Sequence, residues 1–212
     1  MNPPTQQERD IFLFKSNTPP EYHKGWFNSI DTDYNADVLD GLTTDRLKIV
    51  VDMAKDRKWM AFIGENPGVS KTLLACRCLE MAWLQSRTIP DAINQQWRRD
   101  PELYQFFSVR NIAMRLCLSG VGYQDEFDML MKLNGIVIDE FGSEGRMHPN
   151  AKERVLNLIW EMHNKNKLVI LTSSIPTVGE IGEQYGGGLV SRIQQRGGFM
   201  LLSGKDYRLK KG

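Results

Sequence analysis

The stretch IGENPGVSKT, residues 63–72, is the most informative part of the sequence, because it stands between an apolar run and a segment with helical spacing. It ends in Lys-Thr, as the phosphate-binding loop G-x-x-x-x-G-K-[ST] does. That formula asks for glycine at positions where this chain has Glu65 and Ser70. Serine is the smallest hydroxyl-bearing substitute, so we expect Ser70 to be tolerated and Gly64 to take over the turn. The competing interpretation is an ordinary loop between a strand and a helix.

The loop carries the groups that a nucleotide site needs. In such loops, backbone N–H groups at a helix N-terminus converge on phosphate oxygens. Lys71 would contact the β- and γ-phosphates of ATP, and the Thr72 hydroxyl would be a ligand of Mg²⁺. The predicted cofactor-binding residues are Asn66, Pro67, Gly68, Val69, Ser70, Lys71, Thr72 and Leu73.

Strand and helix patterns alternate on both sides of the loop. WMAFIG (59–64) is a short apolar run, and residues 71–85 carry apolar side chains at helical spacing. NGIVIDE (134–140) and KLVILTSS (167–174) are continuous apolar runs, typical of strands buried on both faces of a parallel sheet. The alternation predicts an α/β fold, a parallel sheet flanked by helices, with little or no separate lid domain.

Polar residues stand where the predicted strands end. Ligands of parallel sheets bind at the carboxyl ends of the strands, and polar clusters follow the runs after 64, at 139–140 and at 172–174. Asp139 would hold the magnesium shell, and Glu140 would orient or deprotonate the attacking water. A helix N-cap after a strand would explain Asp139 but not the second, adjacent carboxylate.

Three arginines near the C-terminus are candidates for contacting phosphate. Arg192 and Arg196 lie on one face of a predicted helix near 188–196. An arginine there would reach the γ-phosphate held by a neighbouring subunit. The alternative is a solvated face near a helix C-terminus, where arginine is common. Arg208, in the segment KDYR, would contact the nucleotide of its own chain.

The chain divides into an arm and a domain. Residues 1–43 are polar and turn-rich, and we predict an extended N-terminal arm. Residues 44–212 form the predicted ATPase domain, with a polar, proline-broken surface insertion at about 86–103. In that insertion, residues 97–99 (Trp-Arg-Arg) combine a ring that could stack on a base with two cations, a pattern that fits single-stranded nucleic acid or an ordinary exposed loop.

Composition limits the classes of function. With 41% hydrophobic and 25% charged residues, the chain is of ordinary globular composition, and its net charge of +1 requires any nucleic-acid binding to use a local patch. It shows neither an apolar run long enough for a membrane span nor the pattern of a signal peptide, so we expect a cytoplasmic protein without a membrane partner. The three cysteines, Cys76, Cys78 and Cys117, are expected to be free, buried thiols.

Five sequence segments share the order and spacing of one known family. They are FIGENPGVSKTLLA (62–75), GIVIDEFGSE (135–144), VILTSSIP (169–176), VSRIQQRG (190–197) and GKDYRLKK (204–211). Together they resemble the DnaC/IstB-like AAA+ ATPases, which include bacterial and phage helicase loaders and the helper ATPases of IS21-type transposition. The resemblance implies an AAA+ form of the P-loop NTPase fold over nearly the whole chain.

The resemblance also implies roles for single residues. Lys71 and Thr72 match the Walker A residues, and Asp139 and Glu140 match Walker B. Ser174 stands where the family has the sensor 1 asparagine. Arg196, with Arg192, matches the arginine finger, and Arg208 matches sensor 2.

For function, the resemblance implies an ATP- and Mg²⁺-dependent ATPase that assembles into a homo-oligomer with ATP at the subunit interfaces. Such proteins grip single-stranded DNA and load or remodel a replicative DNA helicase. Two alternatives stay open. One is a transposition helper, and the other is a nucleotide-gated binding module in which Glu65, Ser70 and Ser174 mark weakened catalysis.

Overall fold

A computed structural model describes residues 6–22, 44–67, 69–86, 89–91, 96–98, 100–118, 122–143 and 150–203. Within these residues, seven strands form two sheets. In chain order they are β1 (Trp59–Ile63), β2 (Ile89–Asp91), β3 (Gln96–Arg98), β4 (Tyr104–Ser108), β5 (Gly135–Phe141), β6 (Leu168–Ser173) and β7 (Gly197–Leu201).

The main sheet is parallel throughout. Its five strands lie in the order β4-β5-β6-β1-β7, and each neighbouring pair is parallel. The apolar runs supply its centre: Ile136, Val137 and Ile138 of β5 are fully buried, as are Val169 and Ile170 of β6. Burial on both faces is why these strands read as continuous apolar runs and not as alternating ones.

Eight α-helices are described, and most of them flank the sheet. They are α1 (Gln6–Lys15), α2 (Thr44–Lys55), α3 (Lys71–Leu84), α4 (Val109–Leu118), α5 (Tyr123–Lys132), α6 (Ala151–Asn164), α7 (Val178–Tyr185) and α8 (Gly187–Arg196). Short 3₁₀ turns span Pro20–Tyr22 and Pro101–Leu103.

The direction of the crossovers places the helices on two faces. The connections β4 to β5, β5 to β6 and β6 to β7 run one way along the sheet, whereas β1 to β4 runs the opposite way. Because such crossovers are right-handed, α3 lies on the face opposite α4, α5 and α6. The helices that follow the neighbouring strands β1 and β6 therefore leave toward opposite faces. That divergence opens a crevice at the carboxyl ends of these two strands.

The predicted parallel sheet flanked by helices is confirmed. Helix α6 presents an apolar face to the core at helical spacing, since Val155, Leu158, Ile159 and Met162 are fully buried. Cys76 and Cys78 are buried free thiols, and Cys117 is a half-buried one.

The prediction of an extended arm is wrong for residues 6–15, which form α1. Phe12 is fully buried and stacks on Trp83 of α3, with ring centroids 4.4 Å apart. Arg9 is buried too, and its Nε donates to Glu80 Oε1 at 2.6 Å. The apolar periodicity of this segment is interrupted, because one of its buried side chains is an arginine. The division of the chain at residue 43 stays a prediction.

The polar insertion contains a small hairpin. Strands β2 and β3 pair antiparallel within it. The side chains of Trp97 and Arg98, and the whole of Arg99, lie outside the described part of the structure. The proposed nucleic-acid contact by residues 97–99 stays a prediction.

Candidate nucleotide-binding site

The loop between β1 and α3 explains where glycine is needed. Gly64 has φ +149°, and a Cβ there would come within 2.1 Å of the Leu202 carbonyl oxygen, beside the end of β7. Glycine is therefore required at 64, and the neighbouring Glu65 is exposed. Ser70 precedes α3 with φ 66° and ψ 14°, in the left-handed region that favours glycine. The serine is accommodated, but in a backbone conformation that an L-residue rarely adopts.

Lys71, the first residue of α3, lies folded into the loop. Its Nζ donates to the Gly64 carbonyl at 2.7 Å and to the Asn66 carbonyl at 2.9 Å. The ammonium group therefore stands inside the turn that precedes a helix N-terminus, where first-turn N–H groups lack intrahelical acceptors. Cation and helix end together favour an anion at this point.

A threonine of α3 meets the aspartate of β5. Thr72 Oγ1 donates to Asp139 Oδ1 at 2.8 Å, across 67 residues of sequence. A second hydroxyl, Thr172 Oγ1 of β6, donates to the same oxygen at 2.5 Å. These contacts bring the carboxyl ends of β5 and β6 and the start of α3 to one oxygen atom.

A β-bulge in β5 shapes the end of that strand. Ile138 pairs with Leu171 and Phe141 pairs with Ser173, so two residues, Asp139 and Glu140, stand opposite Thr172 alone. Glu140 takes φ 59°, its N–H donates to Thr172 Oγ1 at 3.0 Å, and its side chain is exposed. Bulges re-aim side chains next to active sites. Here the bulge leaves the Glu140 side chain exposed, whereas that of Asp139 is partly buried.

The pKa of the Asp139 carboxyl is raised from its ordinary value, and burial is the largest cause. Burial raises the pKa of this carboxyl, whereas hydrogen bonds from Thr172, Thr72 and the Glu140 backbone and the charge of Lys71 lower it. A hydroxyl and a carboxylate oxygen are the hard donors that Mg²⁺ prefers. Among the described residues, no group of three or more His, Cys, Asp or Glu side chains is placed to hold a metal. The oxygen pair of Thr72 and Asp139 still fits an ion that takes its remaining ligands from phosphate and water.

Two of the other predicted site residues, Arg192 and Arg196, contact groups outside this oxygen cluster. Ser174 is exposed just after β6. Arg192 donates to the Gly188 carbonyl of its own helix at 3.0 Å, and its guanidinium lies over the Trp160 ring. Arg196 donates to Asn166 Oδ1 at 2.6 Å, next to the start of β6 and therefore at the opposite edge of the sheet. Arg208 and Gly68 lie outside the described residues.

Thr172 belongs to the candidate site, although no sequence motif assigned it a role of its own. The signal was in the sequence, because 172 begins the polar cluster at the end of an apolar run. The family resemblance points to Ser174, whereas the residue that is 2% exposed and contacts Asp139 is Thr172. A hydroxyl at a position expected to be buried on an inner strand needs a partner, and that argument would have selected it.

These features define a fold. A parallel sheet whose inner strand β1 leads into a lysine–threonine loop, with an aspartate on a nearby strand facing that threonine, has the arrangement of the P-loop fold of AAA+ proteins. No model of a known protein family matches the sequence. No curated protein sequence matches it significantly either.

Solved structures share the fold. A crystal structure of the DnaC helicase loader matches with a TM-score of 0.58 and 18% identity, over 82% of this chain and 99% of that one. A crystal structure of DnaI matches with a TM-score of 0.57 and 13% identity, over 88% and 95%. The replication initiator DnaA bound to AMPPCP and single-stranded DNA matches with a TM-score of 0.51 and 13% identity, over 76% and 46%. The chain thus spans about half of that DnaA structure, and its predicted resemblance to the DnaC-like AAA+ fold is confirmed.

None of the described helices is both long and apolar enough to cross a bilayer.

Proposed function

We propose that the chain binds ATP with Mg²⁺ in the crevice between β1 and β6 and hydrolyses it. The observation that carries the proposal is the contact between Thr72 Oγ1 and Asp139 Oδ1 at 2.8 Å, beside the loop that holds Lys71. Thr72 and Asp139 would hold the ion. When bound, Mg²⁺ neutralises charge on the β- and γ-phosphates.

Side chains of the protein would perform the remaining steps of phosphate binding and hydrolysis. Lys71 exchanges the carbonyls of Gly64 and Asn66 for phosphate oxygens, which carry more negative charge. Glu140, turned outward by the bulge, orients or deprotonates the attacking water. Thr172 positions the Asp139 carboxylate and the Glu140 backbone relative to each other, because its hydroxyl is hydrogen-bonded to both. Ser174, Arg192 and Arg208 are proposed contributors whose roles follow only from the resemblance.

Arg196 is proposed to act on the nucleotide of a second copy. Its position supports this, since it lies at the amino edge of the sheet and the loop lies at the carboxyl edge. The chain would then form a homo-oligomer with ATP at the subunit interfaces.

We further propose a cytoplasmic role in DNA replication, as a loader or remodeller of a replicative helicase on single-stranded DNA. The likeness to DnaC and DnaI structures over nearly their whole length supports it. The DnaA structure with bound single-stranded DNA has the same fold.

The first experiment measures binding of a fluorescent ATP analogue with Mg²⁺, with and without single-stranded DNA. We expect Lys71→Ala to abolish binding and Glu140→Gln to bind as wild type while losing turnover. Absence of binding by the wild type would refute the nucleotide site and leave a binding module on an AAA+ fold. Preference for duplex over single-stranded DNA, with no effect on a helicase, would point to the transposition helper.

A further inference from the structure

A second concave site lies at the amino edge of the main sheet, away from the loop. It is a cavity of about 370 Å³ lined chiefly by Arg57, Lys58, Asn166 and Arg196. These residues immediately precede β1, β6 and β7. We call this cavity the basic pocket.

The basic pocket has the charge of an anion site. Arg57, Lys58 and Arg196 supply three cations, and Asp56 is the carboxylate among the lining residues described. Asp56 pairs with Lys58 at 3.2 Å, and both side chains are more than half exposed. Such an exposed pair is weak and is easily exchanged for a stronger anion.

The cations differ in how firmly they are held. Arg57, with φ 54°, places its guanidinium 5.8 Å from the centre of the Tyr104 ring, and its Nη2 donates to the Asn134 carbonyl at 3.4 Å. Its Nε is buried without a hydrogen-bond partner among the described residues. Lys58 and Arg196 reach the pocket from the surface. The pocket thus holds one cation fixed by its packing on Tyr104 and two others, Lys58 and Arg196, that contact Asp56 and Asn166, and three cations fit a ligand with several negative charges.

The basic pocket is out of reach of its own chain's nucleotide. The loop begins where β1 ends, and Lys58 stands immediately before β1 begins. Five strand residues separate these points by about 16 Å. The anion must therefore come from outside the chain.

We propose that Arg57 and Lys58 act together with Arg196 on the triphosphate of a nucleotide bound by a second copy. The proposal rests on the function proposed above and adds two residues to its active site. Two sites at opposite edges of one sheet can meet only in a head-to-tail contact, which repeats from copy to copy and closes into a ring or continues as a helix. Charge complementarity selects the occupant, because the carboxyl edge would present phosphate groups to a pocket of three cations.

A mixing experiment tests whether the two sites are shared between copies. Lys58→Ala lacks the pocket cation but keeps its loop, whereas Lys71→Ala lacks the loop but keeps its pocket. Each alone is expected to lose at least about tenfold in ATP turnover. An equal mixture is expected to recover about a quarter of the wild-type rate, since that share of head-to-tail contacts joins an intact loop to an intact pocket.

Lys48→Ala is the matched control, because Lys48 is an exposed lysine of the neighbouring helix α2 outside the pocket. It should turn over ATP as wild type does. Lys58 is chosen over Arg57 because its exposed side chain can be removed without disturbing the fold. Lys58→Ala should also bind the fluorescent analogue with wild-type affinity, since its loop is intact.

The outcomes separate the two proposals. If the wild type does not bind nucleotide, the proposed function itself fails. If the wild type is active and Lys58→Ala matches Lys48→Ala, the role of the basic pocket is refuted. Loss of nucleotide binding in Lys58→Ala alone would refute the second-copy source. The second-copy source would also be refuted if Lys71→Ala binds inorganic triphosphate through Lys58 and the mixture nevertheless recovers no ATP turnover. The pocket would then be a site for free polyphosphate.

Discussion

Ser70 shows how a departure from the loop formula is accommodated and what it costs. Its left-handed conformation, φ 66°, is about 1 kcal/mol less favourable for a residue with a Cβ than for glycine. Ser70→Gly is therefore expected to raise the free energy of unfolding by about 1 kcal/mol, measured by urea denaturation. Ser191→Gly, on the exposed surface of α8, is the control and should lower it by about 0.5 kcal/mol. Equal destabilisation by both changes would contradict the assigned conformation of Ser70.

Thr172 is expected to matter more for turnover than for binding. Thr172→Val keeps the side-chain shape but removes the hydroxyl that donates to Asp139 and accepts from the Glu140 N–H. Because this misplaces Glu140, turnover should fall about ten- to a hundredfold, while the affinity for the fluorescent analogue changes little. Ser173→Ala, which removes a buried hydroxyl bonded to the Phe141 carbonyl, should cost about 1 kcal/mol of stability and leave turnover nearly intact. Equal turnover losses in the two variants would show that Thr172 has only a structural role.

At the scale of the secondary-structure element, the sequence predicts best those strands that are buried on both faces. Inner strands such as β5 and β6 are buried on both faces, so their sequences are apolar throughout and their bounds were predicted to within about a residue or two. The bulge in β5 could not be predicted, because it depends on how that strand pairs with β6 and not on local preference. The proposed nucleotide loop and the pair Asp139–Glu140 are predicted from local motifs, whereas the contact of Thr172 with Asp139 depends on how the strands lie in the sheet.

Helix α1 could not be assigned from periodicity because part of its buried face is charged. Arg9 and Arg77 both pair with Glu80, and all three side chains are buried. A buried position filled by a paired charge looks solvent-exposed in the sequence. The same helix leaves Phe14 79% exposed, which further obscures the apolar face.

Two phenylalanines of α1 provide a direct test of its docking on α3. Phe12→Ala removes a fully buried ring that stacks on Trp83 and should lower the free energy of unfolding by about 3–5 kcal/mol. Phe14→Ala, two residues away and largely exposed, should change it by less than about 0.5 kcal/mol. Thermal or urea unfolding measures both. Similar losses would mean that α1 does not pack as described.

At the scale of the whole molecule, the sheet separates the two halves of the proposed shared site. The loop and the oxygen cluster lie at the carboxyl edge, and Arg196 lies with the basic pocket at the amino edge. If an active site needs both halves, a single chain is incomplete. ATP turnover per chain should then rise with protein concentration until every contact is formed.

This dependence separates a shared site from one that each chain completes alone. We expect turnover per chain to rise at least about tenfold between dilute and assembled protein, and single-stranded DNA to shift the rise to lower concentration because it gathers chains on one strand. Arg196→Ala should remove the rise while leaving binding of the fluorescent analogue unchanged, since its guanidinium lies at the edge away from the loop of its own chain. The measurement is steady-state phosphate release over a dilution series, with light scattering on the same samples to follow assembly. A turnover per chain that is constant while the scattering shows assembly would mean that each chain carries a complete site, and the opposite edges of the sheet would then have separate functions.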